Sequence, residues 1–176
     1  MENRPENTKT RVLGIDPGLA KLGYAVVDDG PDGIRHVEYG LIKTKPKDSL
    51  PVRLNEIAAL IDAIIGEFNP DVMAVETVFF ARNAKTAMTI GRVIGAVMAI
   101  AGLRGLEVVE YSPLDVKRTV VGTGKADKKQ VQEMVRTLYH LKEAPSPPDV
   151  ADALALCLTH LSYGLKRSLE AICLKP

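Results

Sequence analysis

The strongest constraint on this chain is where its acids fall. Asp16 closes the apolar stretch of VLGIDPG, Glu76 closes that of DVMAVET, and Asp149 and Asp152 open the apolar run of PPDVADALAL. A carboxylate in such company is tolerated when it is paired, solvated in a cleft or bound to a cation. Three separate elements carry these acids. Gathered at one point they would repel one another unless a divalent cation lay between them, and the site so implied binds Mg²⁺ or Mn²⁺.

A chain of 176 residues with 46% hydrophobic residues can bury one core and is short for two. Cys157 and Cys173 are too few for a disulfide framework, and MENRPENTKTR lacks the apolar stretch of a signal peptide, so a cytoplasmic location is expected. The near-apolar run Val93 to Leu103 is bracketed by Arg92 and Arg104 and is too short to cross a bilayer, so no membrane role is expected. A net charge of +1 carries no global nucleic-acid signal; such binding must come from local basic patches.

Residues 1–10 read as a disordered extension, 11–166 as one folded domain and 167–176 as a C-terminal tail. Strands are expected over Arg11–Asp16, Gly23–Asp28 and Ile34–Thr44, with a turn at DDGPDG, so the first three should form a meander. Leu50, Leu54, Ile57, Ile61, Ile64 and Phe68 follow a helical period between a Ser49 N-cap and an Asn69-Pro70 stop. A buried strand over Asp71–Val78, a small-residue helix over Asn83–Arg104 and a short strand over Glu107–Tyr111 come next. Helices then follow from Pro113 to before Gly122, from Asp127 with a D-x-x-Q cap, and from Pro147-Pro148 with Val150, Leu154, Cys157, Leu158 and Leu161 inward. This order suits a five-stranded mixed α/β sheet flanked by helices.

Val12, Gly14 and Asp16 share one strand face, and Val72, Ala74 and Glu76 share another, so neighbouring strands would bring the two acids together. Both fall at carboxyl ends of strands, where open α/β sheets hold ligands. Asp149 and Asp152 project from adjacent turns of one helix face; the bland alternative is that they complement the helix N-terminus. His160 is about 16 Å along that helix, too far to join them, and reads as structural or surface. Asp16, Gly18 and Gly23 also fit a phosphate-cradling hairpin, but no second hairpin appears and the chain is about half a two-lobed kinase in length.

Phe79 and Phe80 follow Glu76 and precede Arg82, Asn83 and Lys85; an exposed ring there could stack on an unpaired base, Phe79 being the preferred candidate, or either ring could pack the next helix. Lys117, Arg118, Lys125, Lys128 and Lys129 cluster around Gly122-Thr123-Gly124, as a phosphate tracker or a solvated face. Ala87, Gly91, Gly95, Ala99 and Gly102 line one helix face that allows close backbone approach, and with Met88, Val97 and Leu103 expected opposite, a dimer would cover the second face.

Taken in order, LGIDPG, VETVFFARNAKTA, KRTVVGTGKADKKQVQEMV and PPDVADALALCLTH resemble the RuvC family of Holliday junction resolvases, from about Arg11 to His160. The resemblance implies an RNase H-like fold, a homodimer and Mg²⁺- or Mn²⁺-dependent cleavage of four-way junction DNA at symmetric positions. It implies that Asp16, Glu76, Asp149 and Asp152 form a catalytic tetrad, that Phe79 stacks into the opened junction, and that Lys117 and Lys128 contact DNA near the scissile phosphate. The family's partner is a branch-migration motor complex, RuvA and RuvB. Two ions per site, bridged by Asp16, would activate water and stabilise the leaving 3′-oxygen. The alternatives are an RNase H-like nuclease on RNA or another substrate, and a module that grips branched DNA without cutting it. The apolar residues after Gly164 read equally as a frayed helix, a packing segment or a partner contact.

Overall fold

The computed structural model describes residues 9–77 and 84–173. Five strands, β1 (Thr10–Asp16), β2 (Lys21–Gly30), β3 (Gly33–Lys43), β4 (Val72–Glu76) and β5 (Glu107–Tyr111), form one sheet in the order β3-β2-β1-β4-β5. The first three make the antiparallel meander, and β1, β4 and β5 run parallel. Central β1 and β4 are apolar on both faces because helices cover both. Leu13, Ile15, Met73 and Val75 meet α1 (Leu50–Phe68) and α2 (Ala84–Leu103) on one side. Val12, Ala25, Val72 and Ala74 meet α3 (Pro113–Val121), α4 (Lys128–Leu138) and α5 (Pro148–Cys173) on the other.

Helix ends follow local chemistry. Ser112 with Asp115, and Asp127 with Gln130, form reciprocal capping boxes that open α3 and α4. Asn69, in the left-handed region at φ 45°, closes α1. Ser49 stands at the N-cap of α1 without a side-chain hydrogen bond, Pro51 instead setting the first turn.

Two expectations need correction. The hairpin between β2 and β3 pairs as far as Gly30 with Gly33, so Asp28 and Asp29 lie in the ladder and the turn is two residues long. Asp28 is tolerated there because the Arg11 guanidinium donates to both its oxygens, at 2.7 and 3.1 Å, from the neighbouring strand. In α2, Met88 and Leu103 are not opposite the small residues. They share the solvent side with Gly91, Gly95 and Ala99, at 61% and 82% exposure, whereas Val97 is fully buried against the sheet. By length and composition α2 could cross a bilayer, but Val93, Ile94, Val97 and Ala101 are buried in the core shared with α1. The tail region is helical to Cys173 as the continuation of α5.

Candidate active site

Asp16 ends β1, and the chain turns away at once through Pro17-Gly18, where a Cβ on Gly18 would lie 2.1 Å from the Lys21 carbonyl oxygen. Glu76 ends β4. The parallel register pairs Gly14 with Ala74 and Ile15 with Val75, so the two acids are the next rung and leave the sheet on the Gly14–Ala74 face. Asp149 lies in the first turn of α5, and Asp152 one turn on. That helix reaches the sheet because β1 and β2 offer it glycines. A Cβ on Gly14 would stand 2.3 Å from the Ala153 carbonyl oxygen, and one on Gly23 only 2.0 Å from that of Asp149.

All four carboxylates are half-buried at one sheet edge, and Asp16 feels the charges of the other three. Asp16 is pushed up to about 8, first by burial and then by Glu76, Asp152 and Asp149. Glu76 is pushed up to about 7 by burial and Asp152, against the opposing pull of Lys128 and Lys117. Burial also raises Asp152, while Lys128, whose Nζ is 3.3 Å from its Oδ2, opposes the shift. Among the described residues no three His, Cys, Asp or Glu side chains stand close enough together to clasp an ion. A donor set of carboxylate oxygens suits a hard divalent ion, which would also relieve the charge crowding that lifts Asp16 and Glu76. The residues therefore fit a hard divalent cation.

Of the basic residues, Lys128 and Lys117 face the acids; Lys117 is half-buried in α3, and its charge reaches both Glu76 and Asp152. Arg118 and Lys125 are exposed around the Gly122–Gly124 turn, outside the acidic cluster. Lys129 lines a shallow groove with Val121, Glu133 and Met134 instead. Ala87 is half-buried, and Gly91, Gly95 and Ala99 are exposed along α2. Phe79, Phe80, Arg82 and Asn83 lie outside the described residues. His160 is structural, its Nδ1 2.9 Å from the Tyr111 hydroxyl.

Sequence reasoning missed the clamp behind Asp16. Buried Thr44 donates from Oγ1 to the Leu19 carbonyl at 2.6 Å and accepts from Arg53 Nε at 2.7 Å, which ties the loop after Asp16 to the end of β3. Threonine after a strand carries no signal for such a bond. The glycines at 14 and 23 did carry one, since glycine inside a strand marks close backbone approach.

A 3-2-1-4-5 mixed sheet with carboxylates gathered at the ends of its two central parallel strands defines the RNase H-like nuclease class. Residues 12–160 match the crossover junction endodeoxyribonuclease RuvC family, and the chain belongs to that family. It is 45% identical to the crossover junction endodeoxyribonuclease RuvC of Alkaliphilus metalliredigens, across 90% of this chain and 96% of the relative. Thermus thermophilus RuvC, solved in complex with a Holliday junction substrate, superposes with a TM-score of 0.83 at 39% identity, over 88% of this chain and 94% of that one. The yeast mitochondrial Holliday junction resolvase Ydc2 shares the fold, at TM-score 0.64 and 15% identity over 88% of this chain and 79% of that one.

Proposed function

We propose that this protein resolves four-way (Holliday) DNA junctions by paired symmetric nicks during homologous recombination and DNA repair. The observation that carries this reading is the meeting of Asp16, Glu76, Asp149 and Asp152 at one sheet edge in a chain of this family. Nucleases of the family depend on divalent metal. The four acids would hold two Mg²⁺ or Mn²⁺ ions, which when bound supply an activated water and charge stabilisation for the leaving 3′-oxygen, giving 5′-phosphate and 3′-hydroxyl ends. Asp16, at the end of the central strand β1 with Glu76 on the next strand, would be among the residues that hold the ions. Lys117 and Lys128 supply positive charge beside the acids and would draw a phosphate in against carboxylate repulsion. Phe79 would stack at the opened crossover. Cleavage of a synthetic mobile junction in Mg²⁺, compared with linear duplex and RNA–DNA hybrid, tests the assignment; preference for either comparison substrate would overturn it.

Lys128→Ala should weaken junction binding and flatten its salt dependence by about 0.9 in the slope of log affinity against log salt, the share of one phosphate contact. Anisotropy titrations at several salt concentrations check this. An unchanged slope would return Lys128 to a role confined to Asp152.

Two like strands must be cut, so a two-fold dimer presenting two such sites to one junction is the economical assembly. The exposed stripe of Gly91, Gly95 and Ala99 with Met88 supports α2 as its contact. Among the described residues a Cβ at Gly95 meets nothing within 4 Å, so Gly95→Arg should fold, yet set a charge against its symmetry mate. The expected product is a monomer by light scattering that nicks without coordinated double cleavage; an active dimer would refute this interface. A bacterial cytoplasmic setting and a branch-migration motor of RuvA and RuvB type complete the proposal.

A further inference from the structure

The acids occupy the middle of the sheet edge, and the cations anticipated from the sequence stand on one side of it, in α3, α4 and the turn between. On the other side β2 begins and β3 ends in lysine. Lys21 and Lys43 are direct cross-strand partners, both exposed. Like charges directly opposite destabilise a sheet, so the pair is a cost without a structural return. Lys45 and Lys47 follow two and four residues on, so residues 43–47 hold three lysines before Asp48. Among the described residues the ion pairs engage Lys9, Arg11, Arg104, Lys128 and Arg136, and none of these four lysines.

The placement of the strand pair ties it to the active site, and Lys45 and Lys47 extend it into the loop after β3. Leu22 and Ile42 point into the core beneath α1, so strand alternation puts Lys21 and Lys43 on the α5 side of the sheet, with the acids. Gly23 pairs with Asp16, and Lys21 lies two residues further, about 7 Å along the strand. The edge is also held rigid. Thr44, between Lys43 and Lys45, donates from Oγ1 to the Leu19 carbonyl at 2.6 Å and from its N–H to that of Ala20 at 3.3 Å, and Arg53 braces it from behind. Such clamping fixes the backbone beside the lysines, so binding has chiefly their side chains left to order.

We propose that Lys21, Lys43, Lys45 and Lys47 form a second phosphate-gripping edge, which holds the DNA arm on the β2–β3 side of the active site, opposite Lys117 and Lys128. The proposal rests on the reading of this chain as a junction nuclease. With cations on both flanks and acids between, a backbone crossing the sheet edge is held on either side of the phosphate to be cut.

The test is a fluorescence-anisotropy titration of a labelled four-way junction in EDTA across a salt series, with cleavage in Mg²⁺ measured in parallel. A Lys21→Gln, Lys43→Gln, Lys45→Gln triple variant should lower the salt slope by about 2.7, so its affinity deficit narrows about 40-fold between about 50 and about 200 mM salt. Arg35→Gln, which removes one positive charge at the far end of β3, should leave the slope as in wild type. A triple variant with the wild-type slope, while the wild type binds and cuts the junction, overturns the edge and spares the function. Equal flattening per charge by Arg35→Gln also overturns it, by making net charge the cause. A wild type that neither binds nor cuts the junction refutes the functional reading itself, and the edge with it.

Discussion

Asp16→Asn should bind a four-way junction and fail to cut it, its single-turnover rate falling on the order of a thousandfold, the equivalent of roughly 4 kcal/mol of lost transition-state stabilisation. The same variant should be more stable than its parent without metal. The Asp16 carboxyl is raised to about 8 in the fold by burial, Glu76, Asp152 and Asp149, whereas in an unfolded chain an aspartate titrates near 3.9. Between those values the folded protein keeps a proton that the unfolded chain has released, so stability falls as pH rises from about 4 to about 8 and then levels. Glu76, raised to about 7, acts in the same direction. Asparagine at position 16 cannot ionise and escapes its part of this loss. Melting in EDTA should show the variant level with wild type near pH 4 and higher at pH 8, by on the order of 5 °C. Added Mg²⁺ should narrow or reverse that order, since an ion bound only by the folded wild type stabilises it by mass action. A variant that melts lower at pH 8 would show that Asp16 is not crowded by its neighbours.

Much of this site is legible from periodicity alone, because strands alternate faces and helices repeat at fixed spacing. Gly14 and Ala74 face the same way as Asp16 and Glu76, so two short apolar strands sufficed to aim both acids once the strands were neighbours. The inward face of α5 followed from the spacing of Val150, Leu154, Cys157 and Leu161. What escaped depends on pairing between distant residues. Asp28 reads as a turn former until the register sets Arg11 beside it, seventeen positions away in the chain. The lysines at 21 and 43 look like separate surface charges until the β2–β3 register makes them partners. In α2 the apolar content is nearly all-round, so composition could not say which side meets solvent, and Met88 and Leu103 were placed with the wrong face.

Gly23→Ala is the substitution that should separate the presence of the four acids from their alignment. A Cβ on Gly23 would lie 2.0 Å from the carbonyl oxygen of Asp149, 2.5 Å from its carbon and 3.2 Å from the Val150 nitrogen. All three are backbone atoms, so no flexible side chain can give way. Ordinary contact with a Cβ begins near 3.4 Å, and the first turn of α5 must therefore lift by more than an ångström. That turn carries Asp149 and leads into Asp152, while Asp16, the register partner of Gly23, stays with the sheet. Overpacking of this kind costs roughly 1–3 kcal/mol of stability, which a domain of this size survives. The loss of alignment is the larger effect, since a displacement of about 1 Å at a reacting centre can cost on the order of a hundredfold in rate. Gly164→Ala, in the same helix but with nothing among the described residues within 4 Å of the new Cβ, supplies the contrast and should gain up to about 1 kcal/mol. Single-turnover cleavage and thermal melting of both variants distinguish the cases. If Gly23→Ala cuts within twofold of wild type, α5 is free to shift without disturbing the site, and the glycine slots do not set the geometry of the acids.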